Sequence, residues 1–371
     1  MDQEKLNIER ASKAIRDSRF VEGLSFLETN LSKDPNHKDS LYLAAVCSRY
    51  LKNYKDSKEY LNNLLIQAPD MGRAYQELGH LCKAIGENEE AASHYRQACE
   101  LNPALIASWK SLFNYFNKRN NKAAAEHAHE QIKKLDSLPP ILLYISQILN
   151  VGRLDIAELK CREFLKKNPT NVYAMSLLSD IAKKFGYYDD AEILLENAVK
   201  FSPDDGEIRM KYALILRLKQ KFTETMEQVN ILCEKFPDNL SYQAQKASEI
   251  MQNGYHSEAI DLFEKIIKEN PYNFSAMTSK GHAEKTLGKT DKAIESYKSA
   301  YKIKNDHGEA YFSLSNLKTY KFSDKELDVM KNQLKRVDLT LKDKAYFHFA
   351  LAQGCDCLLY TSPSPRDSFR S

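Results

Sequence analysis

The sequence predicts an all-α fold, a right-handed superhelical solenoid of about nine two-helix repeats, and three observations predict it. Proline stands at residues 35, 69 and 103, and again at 169, 203, 237 and 271, so the spacing within each run is 34 residues. Between the runs lie 66 residues, two periods less two. A fixed period of this length marks a supersecondary unit that buries its apolar face only against its neighbours. Small residues recur in phase as Ala91, Ala125, Ala157, Ala191, Ala259 and Ala293. Glycine recurs in phase as Gly86, Gly152, Gly186, Gly254 and Gly288.

Counting the proline as position 32, the unit is explained from its start. A first helix carries apolar residues at helical spacing, as in Tyr75, Leu78, Gly79 and Cys82, and Trp109 takes the aromatic place in the next unit. The glycine at position 15 can adopt φ > 0 and end that helix. The alanine at position 20 lets the second helix pack closely on the first. Proline cannot continue the second helix and begins the link to the next unit. Units run from Asn7 to Asn305, which takes the last proline place. The boundaries are a degenerate capping unit over 1–37, the solenoid over 38–318, a helical linker over 319–356 and a tail over 357–371. In the capping unit Gly23 replaces the alanine, and the unit between Trp109 and Pro139 is two residues short, in its second helix or the following turn. Fraying is expected after Tyr320.

Composition bounds the function. A chain of 371 residues with 43% apolar and 28% charged residues is that of a folded protein. Fifty-four basic against 51 acidic residues leave +3, which is no footprint for nucleic acid. Met1 to Arg16 has no apolar signal region, and no apolar run is long enough to span a bilayer. Cys82, Cys99, Cys161 and Cys233 lie at helical core spacing and no C-x-x-C pair occurs, which suits reduced thiols in a cytoplasmic protein without a metal.

The unit from Gly72, with Tyr75, Leu78-Gly79, Cys82, Gly86, Ala91, Tyr95, Ala98 and Pro103, resembles the tetratricopeptide repeat, and the resemblance covers roughly residues 5 to 318. It implies a protein or peptide ligand in a concave groove. Position 12, which in this family faces the groove, is basic as Arg49, Lys83, Lys183, Arg217 and Lys285. A basic ladder suits an acidic peptide or a glycan. The same cations also sit well in the last turn of a helix, at about 0.3–1 kcal/mol each. Lys110 and Asn114 match one pair of the family's carboxylate clamp, but Leu143, Tyr173 and Leu177 occupy its other places. His80 and His282 share position 9 on the groove side and could bond a partner. His127 and His129 point to different faces of a helix and read as surface residues.

Two segments lie outside the repeat. The tail CLLYTSPSPRD, followed by Ser368 to Ser371, resembles a translated sequencing-library adapter, which implies that the natural chain was cut near Asp356. The alternative is a genuine disordered Ser/Pro tail with proline-directed phosphorylation sites. Gly308 to Leu351, with Phe322-Ser323-Asp324 and His348-Phe349-Ala350-Leu351, resembles the junction in bacterial proteins that join these repeats to a sulfotransferase domain. That resemblance implies a missing domain that uses 3'-phosphoadenylyl sulfate. The chain itself offers no catalytic or cofactor-binding residue, and no phosphate-binding loop of the G-x-x-x-x-G-K-[ST] type. The alternatives are a stand-alone adaptor or the arm of a glycosyltransferase. Against the last, Leu43, Glu77, Ser111 and Leu143 replace the asparagine ladder that family carries.

Overall fold

The computed structural model describes residues 3–317, 319–336 and 339–361, with side chains through residue 354. The chain divides into two compact units, Met1–Lys167 and Asn168–Ser371. Among the described residues every regular element is an α-helix, and each unit is a stack of helical hairpins of tetratricopeptide type.

The first unit holds α1 (Gln3–Arg16), α2 (Phe20–Leu31), α3 (Lys38–Tyr50), α4 (Tyr54–Gln67), α5 (Gly72–Ile85), α6 (Asn88–Leu101), α7 (Ile106–Lys118), α8 (Lys122–Asp136), α9 (Pro140–Asn150) and α10 (Leu154–Lys167). Helix α5 shows why they pair. It buries Ala74, Tyr75, Leu78, Leu81 and Cys82, an apolar stripe at helical spacing, and α6 presents Ala91, Ala92, Tyr95, Ala98 and Cys99. The two helices approach so closely that a Cβ on Gly79 would stand 2.7 Å from the Tyr95 ring. Where position 20 is not alanine it is Ser57 or Thr225, both fully buried. Their hydroxyls donate to Ala45 O at 2.9 Å and to Lys221 O at 2.8 Å, so the small polar residue costs little.

Each hairpin turns through one left-handed residue at position 15. Five are the glycines the sequence marks, with φ between 74° and 90°. The other four are Ser18, Lys52, Asn120 and Gln220, with φ between 56° and 64°. The residue after each closes the helix end: Glu87 N donates to Cys82 O at 2.9 Å, Asn53 N to Ser48 O at 2.8 Å and Lys221 N to Leu216 O at 3.0 Å.

The two-residue deletion does not lie where the sequence placed it. Helix α8 keeps its full length at 15 residues, whereas α9 has 11 against the 13 of α7. The cause is the pair Pro139-Pro140. The residue before a proline is driven out of the α region, and Pro140 itself is tolerated only in the first turn, so α9 cannot begin earlier.

The second unit holds α11 (Val172–Phe185), α12 (Tyr188–Phe201), α13 (Gly206–Leu218), α14 (Phe222–Lys235), α15 (Leu240–Gln252), α16 (His256–Glu269), α17 (Phe274–Thr286), α18 (Thr290–Ile303), α19 (Gly308–Ser315), α20 (Asp324–Leu334) and α21 (Leu341–Thr361). The last three close the unit. Tyr311 of α19, Leu327 and Met330 of α20, and Phe347 and Ala350 of α21 form one buried cluster. Ser323 and Glu326 make a capping box at the start of α20. The Glu326 carboxylate also accepts from the hydroxyls of Tyr301 and Tyr320, both at 2.6 Å. The backbone stays helical through Thr361, past the expected break at residue 357, because no proline intervenes before Pro363. The rest of the expected tail, 362–371, lies outside the described residues.

Two outcomes follow from this packing. Gln220→Gly relieves a left-handed side chain and is expected to raise stability by up to about 1 kcal/mol in urea unfolding, and no gain would mean that Gln220 is unstrained. Hydrogen exchange is expected to show protected amides across 325–350. Fast exchange there would restore the fraying that the sequence predicts after Tyr320.

Candidate functional site

The basic position-12 residues are not equivalent. Arg49 is paired with Glu77 of the next repeat, whose side chain is 4% exposed. Burial pushes the Glu77 carboxyl up, against the pull of the guanidinium. Arg217 does the same one unit later, 2.5 Å from Glu249, which also accepts from Gln245 at 2.6 Å. These two arginines hold adjacent repeats together. The sequence hides the pairing because Glu77 and Glu249 occupy different positions within their repeats. Lys83, Lys183 and Lys285 are exposed and carry no ion pair among the described residues.

The two position-9 histidines also turn inward. His80 Nδ1 lies 2.7 Å from the Tyr95 hydroxyl and His282 Nδ1 lies 2.9 Å from that of Tyr297, each tying the first helix of a hairpin to the second. That is a structural use of a nitrogen the sequence assigned to a partner. In both hairpins the residue before the histidine is a glycine whose Cβ would strike the same tyrosine ring. His282 Nε2 reaches Glu309 at 3.4 Å, completing a Tyr–His–Glu chain. Tyr297 is fully buried and burial pushes its pKa up, so the hydroxyl is a hydrogen-bond donor and no nucleophile.

What the first unit does assemble is a cleft of about 230 Å³ between α5, α6 and α7. Lys83 and Asn114, named by the sequence on separate grounds, meet in it with Ser111, Tyr115, Lys118 and Arg119. Arg119 is paired with Glu89, whereas Lys83 and Lys118 have no acid partner among the described residues. The lining holds three cations, hydroxyls and amides, and no carboxylate, which suits an anion. Lys110 lies outside it and faces Asp136 at 3.7 Å, so the clamp pair is split. Sequence inspection missed Lys118, Arg119 and Ser111, because nothing in a repeat alignment marks positions 6, 13 and 14 as sharing a cleft with the preceding repeat.

Other candidates are structural. His127 packs edge-on against Trp109 and His129 stacks on Phe113, at 5.6 and 5.3 Å. Cys82, Glu87 and Glu90 bring their ligand atoms within 4.8 Å of one another. Burial pushes the Cys82 thiol up to about 11, so it stays protonated and does not serve as a thiolate ligand. Cys47 and Cys99, pushed up to about 12 by burial, are equally inert.

The tetratricopeptide repeat family models match residues 39–70, 72–105 and 274–307. These three segments are tetratricopeptide repeats, and the two hairpins with the Gly-His…Tyr tie are among them. Solved structures of similar form include MamA, at 20% identity with a TM-score of 0.40 over 43% of this chain and 94% of that one. Yeast Tom70 is 14% identical with a TM-score of 0.49 over 98% of this chain and 91% of that one. MamA from Desulfovibrio magneticus RS-1 is 10% identical with a TM-score of 0.36, over 52% and 97%. Likeness at this level says nothing of ligand or activity. No helix among the described residues is long and apolar enough to cross a membrane.

The His80 tie makes a pH prediction. Burial lowers its pKa from 6.5 to about 4, so the unfolded chain takes up a proton that the folded chain refuses. Its contribution to stability is therefore complete above 6.5 and is lost as pH falls toward 4. Urea midpoints of wild type and His80→Gln, measured from pH 7.5 to 4.5, should converge as the pH falls. Parallel curves would remove His80 as the cause.

Proposed function

We propose that this chain is a binding scaffold, with no chemistry of its own, whose first unit takes an acidic peptide in the α5–α7 cleft. The observation that carries the proposal is the convergence of Lys83, Lys118 and Asn114 from two successive repeats on one cleft without a carboxylate in its lining. Two close cations without acid partners are costly to hold together, and a carboxylate ligand relieves that cost. Lys183 and Lys285 extend the basic character to the second unit as separate sites.

The finer proposal is that the scaffold is the recruiting arm of a cytoplasmic sulfotransferase. It rests on the sequence from Gly308 to Leu351 and on the adapter-like tail. The transferase domain, beyond Asp356, would bind 3'-phosphoadenylyl sulfate, and the arm would hold the acceptor. A stand-alone adaptor is the alternative. Sequencing the source locus through codon 356 separates them. A strand, a phosphate-binding loop and a helix within the following ~100 residues favour the transferase, whose domain is of ordinary size. A stop codon sinks it.

The cleft is tested apart from that question. A fluorescein-labelled octaglutamate peptide should bind the wild type, and Lys83→Glu with Lys118→Glu should weaken it at least tenfold, or about 1.4 kcal/mol. Equal binding by the double variant would end the cleft proposal.

A further inference from the structure

The edge of the second unit formed by the hairpin turns carries a feature that packing does not explain. Tyr187 and Tyr188 stand at the α11–α12 turn, Phe222 at the α13–α14 turn and Tyr255 at the α15–α16 turn, one site per repeat. All four are exposed, at 58, 41, 44 and 65%. In the first unit the aromatic residues at the same repeat positions, Phe20 and Tyr54, pack against the core instead. The fold therefore has an inward use for an aromatic residue at this place, and three successive repeats of the second unit decline it.

Beside each exposed ring, in the first turn of the second helix, stands a carboxylate without an ion pair: Asp190, Glu224 and Glu258. The neighbouring cations are already neutralised, since Lys219 is paired with Asp189 and Glu192, and Lys221 with Glu192. First-turn acids sit well against a helix dipole, which accounts for the carboxylates but not for the rings. A hollow of about 420 Å³ opens between Tyr187 and Tyr188 on one side and Leu218 on the other.

We infer that this edge docks an extended basic segment of a partner protein, with an arginine or lysine side chain seated at each turn. An aromatic face and a carboxylate together fit a cation on a long apolar stem: the ring attracts the charge and covers the stem, and the acid pairs the head. Successive sites recur once per repeat, so a single extended strand can meet three of them. The surplus of carboxylate on this edge repels phosphate, which sets nucleic acid and anionic membrane aside. The site is distinct from the α5–α7 cleft, has the opposite charge preference, and does not depend on the proposed function.

The experiment uses labelled octa-arginine, with octaglutamate as control, and follows anisotropy on the full chain at ~150 mM salt, where loose surface attraction is largely screened. Two variants are compared: Asp190→Asn with Glu224→Gln and Glu258→Gln, and Tyr187→Ala with Tyr255→Ala. All five side chains are exposed, so folding should survive, and circular dichroism confirms it. The expected result is binding of octa-arginine by the wild type and a loss of about tenfold in each variant. The inference is overturned if the wild type does not bind octa-arginine, or if either variant binds it as the wild type does. Loss in the carboxylate variant alone would mean unspecific charge attraction and also overturns it. Lys83→Glu with Lys118→Glu should leave this binding unchanged.

Discussion

Each hairpin reverses through one residue with positive φ, and the rest of the architecture depends on that reversal. The left-handed residue lets the second helix start within three residues of the first one ending, which sets the two apolar stripes face to face. Only then do the small residues at position 20 and the glycines before His80 and His282 matter, because they allow the approach that the short turn demands. The same position is glycine in five hairpins and Ser18, Lys52, Asn120 or Gln220 in the others, so the backbone geometry is held more tightly than the residue type. Packing between the helices is sufficient to hold a side chain in a strained conformation where no glycine is present.

Charge works between hairpins, whereas apolar contact works within and between them. Arg49 with Glu77, and Arg217 with Glu249, place a nearly buried carboxylate against a guanidinium across a repeat boundary. Such a pair contributes little net stability over an apolar contact, because desolvation of both groups offsets their attraction, but removing one partner leaves the other stranded. A second pair recurs by position: Arg119 with Glu89 and Lys219 with Asp189 join the end of one first helix to the start of the preceding second helix. The exposed Asp189 and Glu89 make these pairs weaker than the arginine pairs further in.

Much of this was legible in the sequence. Helix number, turn positions and the interhelical role of Ala91 or Ala259 follow from a period that local propensity and packing both obey. The location of the deletion was not, because a shortened helix and a shortened turn leave the same gap between prolines, and only the effect of Pro139-Pro140 on the backbone distinguishes them. The site was half legible. Lys83 and Asn114 carry a family position, but the roles of Arg49, Arg217, His80 and His282 depend on partners 15 to 32 residues away, which a position-by-position reading of repeats does not pair. The closing helices were the least legible, since α20 and α21 follow no period and their core is specific to Tyr311, Met330 and Phe347.

The buried glutamates have a consequence for how such a chain can change. Identical repeats can be duplicated, lost or exchanged freely, since every boundary is the same. Here Arg49 requires the repeat that brings Glu77, and Arg217 the one that brings Glu249, so these boundaries are addressed. Excising the repeat from Gly72 to Leu105 would set Arg49 against Ser111, which occupies the place of Glu77 in the next repeat and offers a hydroxyl where an anion is needed. The order of the repeats is thus written into the molecule by charge, and a chain built by copying one module can no longer be edited one module at a time.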